Sequence, residues 1–413
     1  MTTTTRLELF VGKGGVGKTT LACATAIAHT RGGARVLVAS LDQAHSLGDA
    51  LGFRFPHDPG AVTGVRTVRP GLDVIEIDSL ALLEDRFRDA ARMLSGAGHE
   101  HGIDPAALDP AELTGLPGVQ ELLMLTEIAQ FAGDEDWDVI VVDCPPSADM
   151  LRIVTAPDTL LGYLERIWPA HARMLDATGT DLRRAVLATT VERIAAAVTE
   201  ARDLLADRER TGARLITVPE RVALAESARV RSAAALLGLR LDEVVVNKVL
   251  PPVPPADPTA HPAVRWYLDR HAEQQQVLAE LRRRMPDVPV AIVEHSGAEP
   301  VGVASLSAMA VSPPDPMLGG ANADFARSGA PQVRLTSGSG LDSVFTLRLR
   351  LPVVDPATLR LGRVEDDLIV GADGVRRRLR LAPVLRRCTV DGAELDDGDL
   401  VVRFRPDAEV WPQ

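Results

Sequence analysis

The stretch LELFVGKGGVGKTT, residues 7–20, decides the fold. An apolar segment typical of a buried strand runs into a glycine-rich turn, and a helix is predicted to begin near Lys18. Gly12, four further residues and then Gly17, Lys18 and Thr19 match the spacing of a P-loop, in which successive backbone N–H groups turn toward one anion. The helix adds its positive N-terminal end. The stretch therefore predicts a phosphate-binding site.

Each part of this loop has an expected task if the ligand is ATP with Mg²⁺. Glycines let the backbone approach the phosphates closely. Lys18 is predicted to reach the β- and γ-phosphates as a compact cation, and the Thr19 hydroxyl is predicted to hold Mg²⁺. The predicted nucleotide contacts from the loop are Gly12, Lys13, Gly14, Gly15, Val16, Gly17, Lys18, Thr19 and Thr20.

Lysine usage also singles out this loop. The chain contains 45 Lys plus Arg, yet lysine occurs only at Lys13, Lys18 and Lys248. A compact ammonium and a planar guanidinium are not interchangeable at a crowded phosphate. Because two of the three lysines lie in the loop, both are predicted to be functional.

Length and composition limit the function classes. A chain of 413 residues is long enough for two domains. The net charge of -12 argues against nucleic acid as the main partner. No apolar run approaches ~18 residues and no signal peptide is evident, so we expect a cytoplasmic protein without an integral membrane segment. The three cysteines form no CxxC pair, so a zinc or iron–sulfur site is not expected.

Alternating apolar strands and helices predict an α/β fold, a doubly wound and mainly parallel sheet with an α-helical subdomain at about 79–131 and 159–208. This domain is expected to occupy residues 1–310. Residues 311–340 are rich in Pro, Gly and Ser and predict a flexible linker. Period-2 alternation from Ser343 to Leu351 predicts a small β-sandwich over 341–413.

Three polar residues at strand ends are further candidates. Asp143 ends an apolar strand and is predicted to be the Walker B carboxylate that holds Mg²⁺ through water. Asp42 also follows a strand and is predicted to orient the attacking water. Asn247 offers an amide to the adenine edge. The structural alternatives are a strand-ending turn for Asp143 and Asn247 and a helix N-cap for Asp42.

For three histidines and one cysteine, a structural interpretation is simpler than a functional one. His45 is expected to support the loop after Asp42 rather than to transfer protons. His99 and His101 offer two metal ligands, but an exposed loop is the simpler interpretation. Cys144 is expected to be an inert small residue beside the nucleotide.

Several blocks together resemble the ArsA family, which includes arsenite-pump ATPases and ATPases that target tail-anchored membrane proteins. The matching blocks are GKGGVGKTT at 12–20, SLDQAHSL at 40–47, PGVQE at 117–121, DCPPSADMLRIV at 143–154, and the unit that runs from TVPE at 217–220 through VVNK at 245–248. The resemblance covers about residues 6–305. Residues 341–410 are similar to the α-crystallin-like domain appended to some bacterial members.

This resemblance implies a homodimer that closes around nucleotide, with Lys13 as a signature lysine acting on the partner's ATP. It implies the same roles for Lys18, Thr19, Asp42, Asp143 and Asn247 as given above. The chain departs from the family's motifs at two places that could change the rate of ATP hydrolysis. Gln43 replaces the usual proline of the first switch, and Ala148-Asp149 replaces the usual Gly-His of the second. The CxxC zinc clasp of eukaryotic targeting members is missing.

Three functions are consistent with these features. The first is an ATP-gated binder of hydrophobic or amphipathic clients, with transient contact to membrane proteins. The second is the ATPase subunit of an arsenite or anion efflux pump, although the arsenite-binding cysteine set is missing. The third is a MinD- or ParA-like positioning ATPase, suggested by Asp143-x-Pro-Pro, for which we find neither an amphipathic tail nor a basic patch.

Overall fold

The structure is a computed structural model that describes residues 4–42, 46–55, 64–95, 119–253, 261–309, 311, 331–351 and 356–411. The first elements are β1 (Arg6–Gly12), α1 (Lys18–Arg31), β2 (Val36–Ser40), α2 (Ser46–Leu51), β3 (Arg66–Arg69), β4 (Leu72–Glu76), α3 (Ser79–Ser95), α4 (Val119–Gly133), β5 (Val139–Asp143), α5 (Ser147–Ile167), α6 (Ala170–Ala177) and α7 (Leu182–Ala206). They are followed by β6 (Thr211–Thr217), α8 (Arg221–Leu237), β7 (Leu241–Val249), α9 (Pro262–Arg284), β8 (Val290–Glu294) and α10 (Gly302–Ala308). The C-terminal elements are β9 (Gln332–Ser337), β10 (Val344–Arg350), β11 (Arg360–Val364), β12 (Asp367–Ala372), β13 (Val375–Arg380), α11 (Pro383–Arg386), β14 (Cys388–Asp396) and β15 (Asp399–Pro406).

The chain forms two compact units, which are described separately. The first comprises Met1–Thr211 and Ser296–Pro313. Its strands lie in the order β3-β4-β2-β5-β1, parallel except for the antiparallel edge strand β3. All residues of β2 and β5 are buried, as expected for central parallel strands covered by helices on both faces. The α/β class and the mainly parallel sheet are confirmed.

The register of the central strands brings three chain segments to one edge of this sheet. Asp143, the last residue of β5, pairs with Phe10 of β1 on one side and with Ser40 of β2 on the other. The carboxyl ends of these parallel strands therefore align, which is the edge where α/β folds bind ligands.

The helical layer of the first unit is built from α3 to α7. Where the sequence predicts a helix from about residue 159, the structure begins α5 earlier, at Ser147, and continues it through Pro157. Proline removes an N–H donor and usually interrupts a helix. Here Pro157 is buried and the Thr155 hydroxyl donates to the carbonyl of Leu151, so packing and a side-chain hydrogen bond accompany the continuous helix.

The second unit comprises Gly212–His295 and Pro314–Gln413. Strands β6, β7 and β8 are parallel neighbours in that order. Two antiparallel sheets follow, one with the order β14-β15-β10-β9 and one with the order β11-β12-β13. We call these two sheets the β-domain. The alternation predicted from Ser343 to Leu351 is confirmed, since Leu347, Leu349 and Leu351 are buried and Arg348 is exposed.

Part of the predicted linker is a strand. Residues 312–330 lie outside the described residues, but Gln332–Ser337 form β9 and pair with β10. The prediction of a flexible linker over 311–340 is therefore wrong for this segment, because backbone pairing to β10 orders a sequence that is weakly apolar. The arginine run 376–378 lies on β13, where Arg378 pairs with Asp367 at 2.5 Å.

The core of the β-domain includes a residue from outside its own strands. Leu236 of α8 is fully buried in the same cluster as the apolar side chains of β10, β12 and β15. Two polar contacts lie beside it. Ser232 Oγ donates to Asp373 Oδ2 at 2.7 Å, and Arg377 Nη1 donates to the Leu236 carbonyl at 2.7 Å. Helix α8 is therefore part of the packing that holds the β-domain.

We expect Leu236→Ala to lower the free energy of unfolding by about 2–5 kcal/mol, because it removes a fully buried side chain and leaves a cavity. Val222→Ala, at a largely exposed position of the same helix, should cost less than about 0.5 kcal/mol. Urea unfolding of the full-length variants measures both values. Equal stability of the two variants would contradict this role of Leu236.

Candidate functional site

The predicted P-loop lies between β1 and α1. Its glycines occupy backbone conformations that other residues avoid, with φ of 153° at Gly12, 79° at Gly15 and 94° at Gly17. A Cβ placed on Gly14 or Gly15 would meet no atom within 4 Å. Positive φ, rather than crowding within the chain, therefore accounts for glycine at position 15. The open space beside the loop fits a phosphate that approaches the backbone closely.

Lys18 lies under the loop. Its side chain is buried, and its Nζ donates to the Lys13 carbonyl oxygen at 3.2 Å. This contact holds the ammonium group within the loop, at the position from which it is predicted to reach the β- and γ-phosphates. Val16 is buried, and Thr20 is half-buried in the first turn of α1.

Lys13 differs from Lys18 in its exposure. The residue is solvent-exposed, and the contact described above uses its backbone carbonyl rather than its side chain. Of the two lysines in the loop, Lys18 is therefore buried and Lys13 is exposed to solvent.

The structure brings Thr19, Ser46 and Asp143 together. Thr19 Oγ1 donates to Asp143 Oδ2 at 2.6 Å and lies 3.0 Å from Ser46 Oγ. Thr19 comes from α1, Ser46 is the first residue of α2, and Asp143 ends β5. The two residues predicted from sequence to hold metal are thus direct neighbours. Ser46 was not among the predicted site residues.

Asp143 is a carboxylate without exposed surface. Burial raises its pKa to about 6, against the hydrogen bond from Thr19 and the charge of Lys18, which lower the pKa, while the charge of Asp42 raises it. Its Oδ1 atom has no hydrogen-bond partner among the described residues. A buried carboxylate oxygen of this kind fits a role toward a metal-bound water, so the residues present suit Mg²⁺.

Asp42 follows β2 at the same edge of the sheet. Its backbone N–H donates to Ser40 Oγ at 3.2 Å, and the residue is half-buried. Gln43, Ala44 and His45 lie outside the described residues, as do His99 and His101. The predictions for those residues stay predictions.

Asn247 lies near the end of β7 in the second unit. The residue is buried, and its Oδ1 accepts a hydrogen bond from the backbone N–H of Lys248 at 2.9 Å. Lys248 has a φ of 60°, which a lysine rarely adopts. Gln274 of α9 supports the following turn, because its Oε1 accepts from the Leu250 N–H at 2.8 Å. The adenine contact of Asn247 stays a prediction.

Position 46 carries little local signal in the sequence. Serine at the start of a helix is ordinarily explained as a cap. Ser46 matters because its hydroxyl lies beside Thr19 of α1. That contact depends on how the strands before α1 and α2 align in the sheet, which the local sequence does not give. The indications available from sequence were its place four residues after Asp42 and its place within the matching block at 40–47.

A P-loop between a parallel strand and a helix, with its hydroxyl on the carboxylate of a neighbouring strand end, defines a P-loop nucleotide phosphohydrolase. Comparison with known families gives a narrower assignment. The family model described as anion-transporting ATPase, ArsA_ATPase, matches residues 5–312, and the model described as HSP20-like domain found in ArsA matches residues 342–404. The chain therefore belongs to the ArsA ATPase family.

Individual relatives support this assignment. Protein Rv2184c of Mycobacterium tuberculosis is 45% identical over 98% of this chain and 97% of its own length. A putative arsenical pump-driving ATPase of Aquifex aeolicus is 26% identical over 96% of this chain and 99% of its own length. ATPase GET3 of Candida glabrata is 31% identical over 60% of this chain and 74% of its own length.

The protein is thus an ArsA-family ATPase with distant GET3-like homologues, and ATPases of this family use ATP and Mg²⁺. Within the described part of the chain, no helix is both long enough and apolar enough to cross a membrane.

The raised pKa of Asp143 predicts a pH dependence of stability in the metal-free protein. Because this pKa is higher in the folded chain than its ordinary value of 3.8, the folded chain binds the proton more tightly. Through this group, the free energy of unfolding falls by about 3 kcal/mol as pH rises from about 4 through 6. We expect Asp143→Asn to lack this fall and to be more stable than wild type at pH 7.5.

Urea unfolding in EDTA at pH 4.5 and pH 7.5 measures this difference. Asp85→Asn, at a partly exposed position of α3 where the side chain is 42% exposed, should keep the wild-type dependence on pH. A variant Asp143→Asn that is less stable than wild type at pH 7.5 would show that the ionised carboxylate stabilises the metal-free fold.

Proposed function

We propose that the protein is a homodimeric ATPase that uses ATP binding and Mg²⁺-dependent hydrolysis to switch between open and closed dimers, and thereby binds and releases a hydrophobic or amphipathic client. The observation that carries this proposal is a set of exposed apolar side chains on α5, α6 and α7, helices of the same unit as the P-loop. We place the protein in the cytoplasm, where it would meet such clients.

In the proposed reaction the loop residues 12–20 bind the phosphates of ATP. Lys18 holds the β- and γ-phosphates, and Thr19 with Asp143 holds Mg²⁺, which would supply positive charge to the phosphates. Asp42 orients the attacking water, for which a modest basicity is enough. Asn247 contacts the adenine edge. The 2.6 Å hydrogen bond between Thr19 and Asp143 supports this assignment of the metal site.

The proposed dimer rests on Lys13. A chain with one P-loop whose second lysine is exposed can offer that ammonium group to the nucleotide of a second copy. A cation supplied by a partner at the transferring phosphoryl group accelerates hydrolysis by ~10³- to 10⁵-fold. Hydrolysis would then require pairing of two chains.

The proposed client surface lies on three helices that pack on one another. Its exposed apolar side chains are Tyr163 and Ile167 on α5, Met174 and Leu175 on α6, and Leu187 and Ile194 on α7. Met174 and Leu175 are 68% and 71% exposed, although they are adjacent in the chain. A cluster of large exposed apolar residues typically marks an interaction site.

A buried arginine supports the arrangement of these helices. Arg173 of α6 donates through Nε to Glu192 of α7 at 2.5 Å, and its Nη1 lies 3.7 Å from Glu165 of α5. It also donates to the Trp168 carbonyl. Met174 and Leu175, which follow Arg173 in sequence, are therefore exposed on a helix that the buried Arg173 side chain anchors to both adjacent helices.

We expect Lys13→Ala to lower ATP turnover per chain by about 10³-fold or more, because the ammonium group is lost from the partner's site. Wild-type turnover per chain should rise with protein concentration, and this rise should disappear in the variant. Steady-state hydrolysis measured across a dilution series tests both expectations.

Arg31→Ala is the matched control, since it removes an exposed cation from the opposite end of α1 and should preserve the concentration dependence. Turnover that stays constant per chain in a demonstrably monomeric sample would overturn the dimer proposal. Full activity of Lys13→Ala would do the same.

For the client surface, we expect an environment-sensitive apolar dye to bind differently in the ATP and ADP states. A variant with Met174→Gln and Leu175→Gln should weaken binding in the state that binds more dye. Val222→Gln changes an apolar residue of similar exposure, 67%, on α8 and should leave the dye signal as in wild type. Fluorescence titration measures the difference, and identical dye binding in both nucleotide states would exclude nucleotide gating.

The arsenite-pump alternative draws support from relatives named as putative arsenical pump-driving ATPases. The thiols of this chain do not favour it. Cys23 and Cys144 are fully buried, and burial raises the pKa of both, which disfavours the thiolate form that binds metalloids. Arsenite stimulation of ATP turnover in the purified protein would nevertheless establish the alternative.

A further inference from the structure

Ser46 occupies a fixed position at the start of α2. Its Oγ lies 3.0 Å from Thr19 Oγ1, and two residues later the Gly48 N–H donates to Glu76 Oε1 at 3.0 Å. Glu76 is buried at the end of β4. The first turn of α2 is therefore tied to the carboxyl edge of the sheet, and this tie holds the Ser46 hydroxyl beside the predicted metal ligand.

The number of hydroxyl protons determines which of Ser46 and Thr19 donates in the hydrogen bond between them. Thr19 has one hydroxyl proton, and the 2.6 Å distance to Asp143 Oδ2 assigns that proton to the carboxylate. Ser46 must then donate to a lone pair of Thr19 Oγ1. A cation that takes a lone pair of Thr19 Oγ1 makes this oxygen a poorer acceptor, which frees the Ser46 hydroxyl for another interaction.

The spacing of the two hydroxyl oxygens, set here by their hydrogen bond, is also compatible with two adjacent ligands of Mg²⁺. Mg²⁺ binds oxygen ligands octahedrally at 2.0–2.1 Å, so two adjacent ligand oxygens lie about 2.9 Å apart. Thr19 Oγ1 and Ser46 Oγ are 3.0 Å apart. The larger Ca²⁺ ion, with oxygen distances of 2.3–2.6 Å, would separate neighbouring oxygens by roughly 3.3 Å or more in the same arrangement. The 2.6 Å distance from Thr19 to Asp143 is shorter than this edge and is that of a hydrogen bond.

We propose that Ser46 is a second hydroxyl ligand of the nucleotide-bound Mg²⁺, adjacent to Thr19, while Asp143 accepts hydrogen bonds from Thr19 and from a metal-bound water. This inference rests on the proposed ATP- and Mg²⁺-dependent function. It makes α2, through Ser46, the element that responds directly to metal binding. Glu76 is then a positioning residue, because it acts on the metal only through the first turn of α2.

The test measures Mg²⁺ binding rather than turnover. Full-length protein is titrated with a fluorescent ADP derivative in EDTA and at a series of Mg²⁺ concentrations. We expect Ser46→Ala to raise the Mg²⁺ concentration needed for half-maximal tightening of nucleotide binding by about 10- to 100-fold. Its affinity in EDTA should stay within about twofold of wild type. Ser46→Thr, which keeps the hydroxyl, should retain the Mg²⁺ response.

A change of metal preference separates a ligand from a structural residue. Ser46→Cys should lose the response to Mg²⁺ but gain one to Cd²⁺, because a thiolate ligand favours the softer ion. Wild type in Cd²⁺ gives the background of the three native cysteines, all of which are buried. Ser79→Ala changes a serine that begins another helix, α3, and should leave the Mg²⁺ response unchanged.

Each contrary result identifies what has failed. If Ser46→Ala keeps the wild-type Mg²⁺ response, or if Ser46→Cys gains no response to Cd²⁺, the ligand role is wrong and the proposed function stands. If Ser46→Ala weakens nucleotide binding equally in EDTA and Mg²⁺, the residue acts structurally and the ligand role is again wrong. If wild type binds nucleotide without any response to Mg²⁺, the proposed metal-dependent function itself fails.

Discussion

The candidate site depends on one buried carboxylate at the edge of a parallel sheet. Asp143 ends a strand that lies between the strand leading into the P-loop and the strand leading to Asp42. Withdrawing a carboxylate from water is costly unless hydrogen bonds and charges compensate for it. One hydrogen bond from Thr19 and the nearby charge of Lys18 offset this cost in part, and the raised pKa shows that they do not offset it fully. In the metal-free protein the ionised form of this carboxylate is therefore unfavourable, and a bound cation would reduce that cost.

Features set by adjacent residues could be predicted from the sequence, whereas features set by contacts distant in sequence could not. The P-loop and Asp143 were predictable, because glycine spacing, a lysine and an apolar strand that ends in aspartate are adjacent in sequence. The buried alternation of β10 was predictable for the same reason. Ser46 and Leu236 were not, because each acquires its role from a contact with an element distant in sequence. Strand β9 was missed since its order depends on pairing to β10 rather than on its own composition.

The helical layer combines exposed apolar side chains with a buried ionic group. Arg173 is buried, but the side chain of its partner Glu192 is 44% exposed, and an ion pair that reaches solvent contributes little to stability. The contacts of Arg173 instead fix α6 against the helices on either side. If this surface binds apolar clients as we propose, a fixed helical frame would keep it from collapsing onto itself when no client is present. The buried arginine provides that frame while Met174 and Leu175 stay in solvent.

The end of α8 shows that helix termination and domain packing depend on the same residues. Gly238 ends this helix with a φ of 81°, the left-handed conformation that glycine favours. A Cβ at this position would lie 3.0 Å from the Arg377 guanidinium, whose Nη1 donates to the carbonyl of Leu236. A larger residue at 238 would therefore disturb both the helix end and the arginine contact. Because Leu236 also lies in the β-domain core, α8 and the β-domain form one packed body within the second unit. A displacement of α8 would then carry the β-domain with it, because the two share one core.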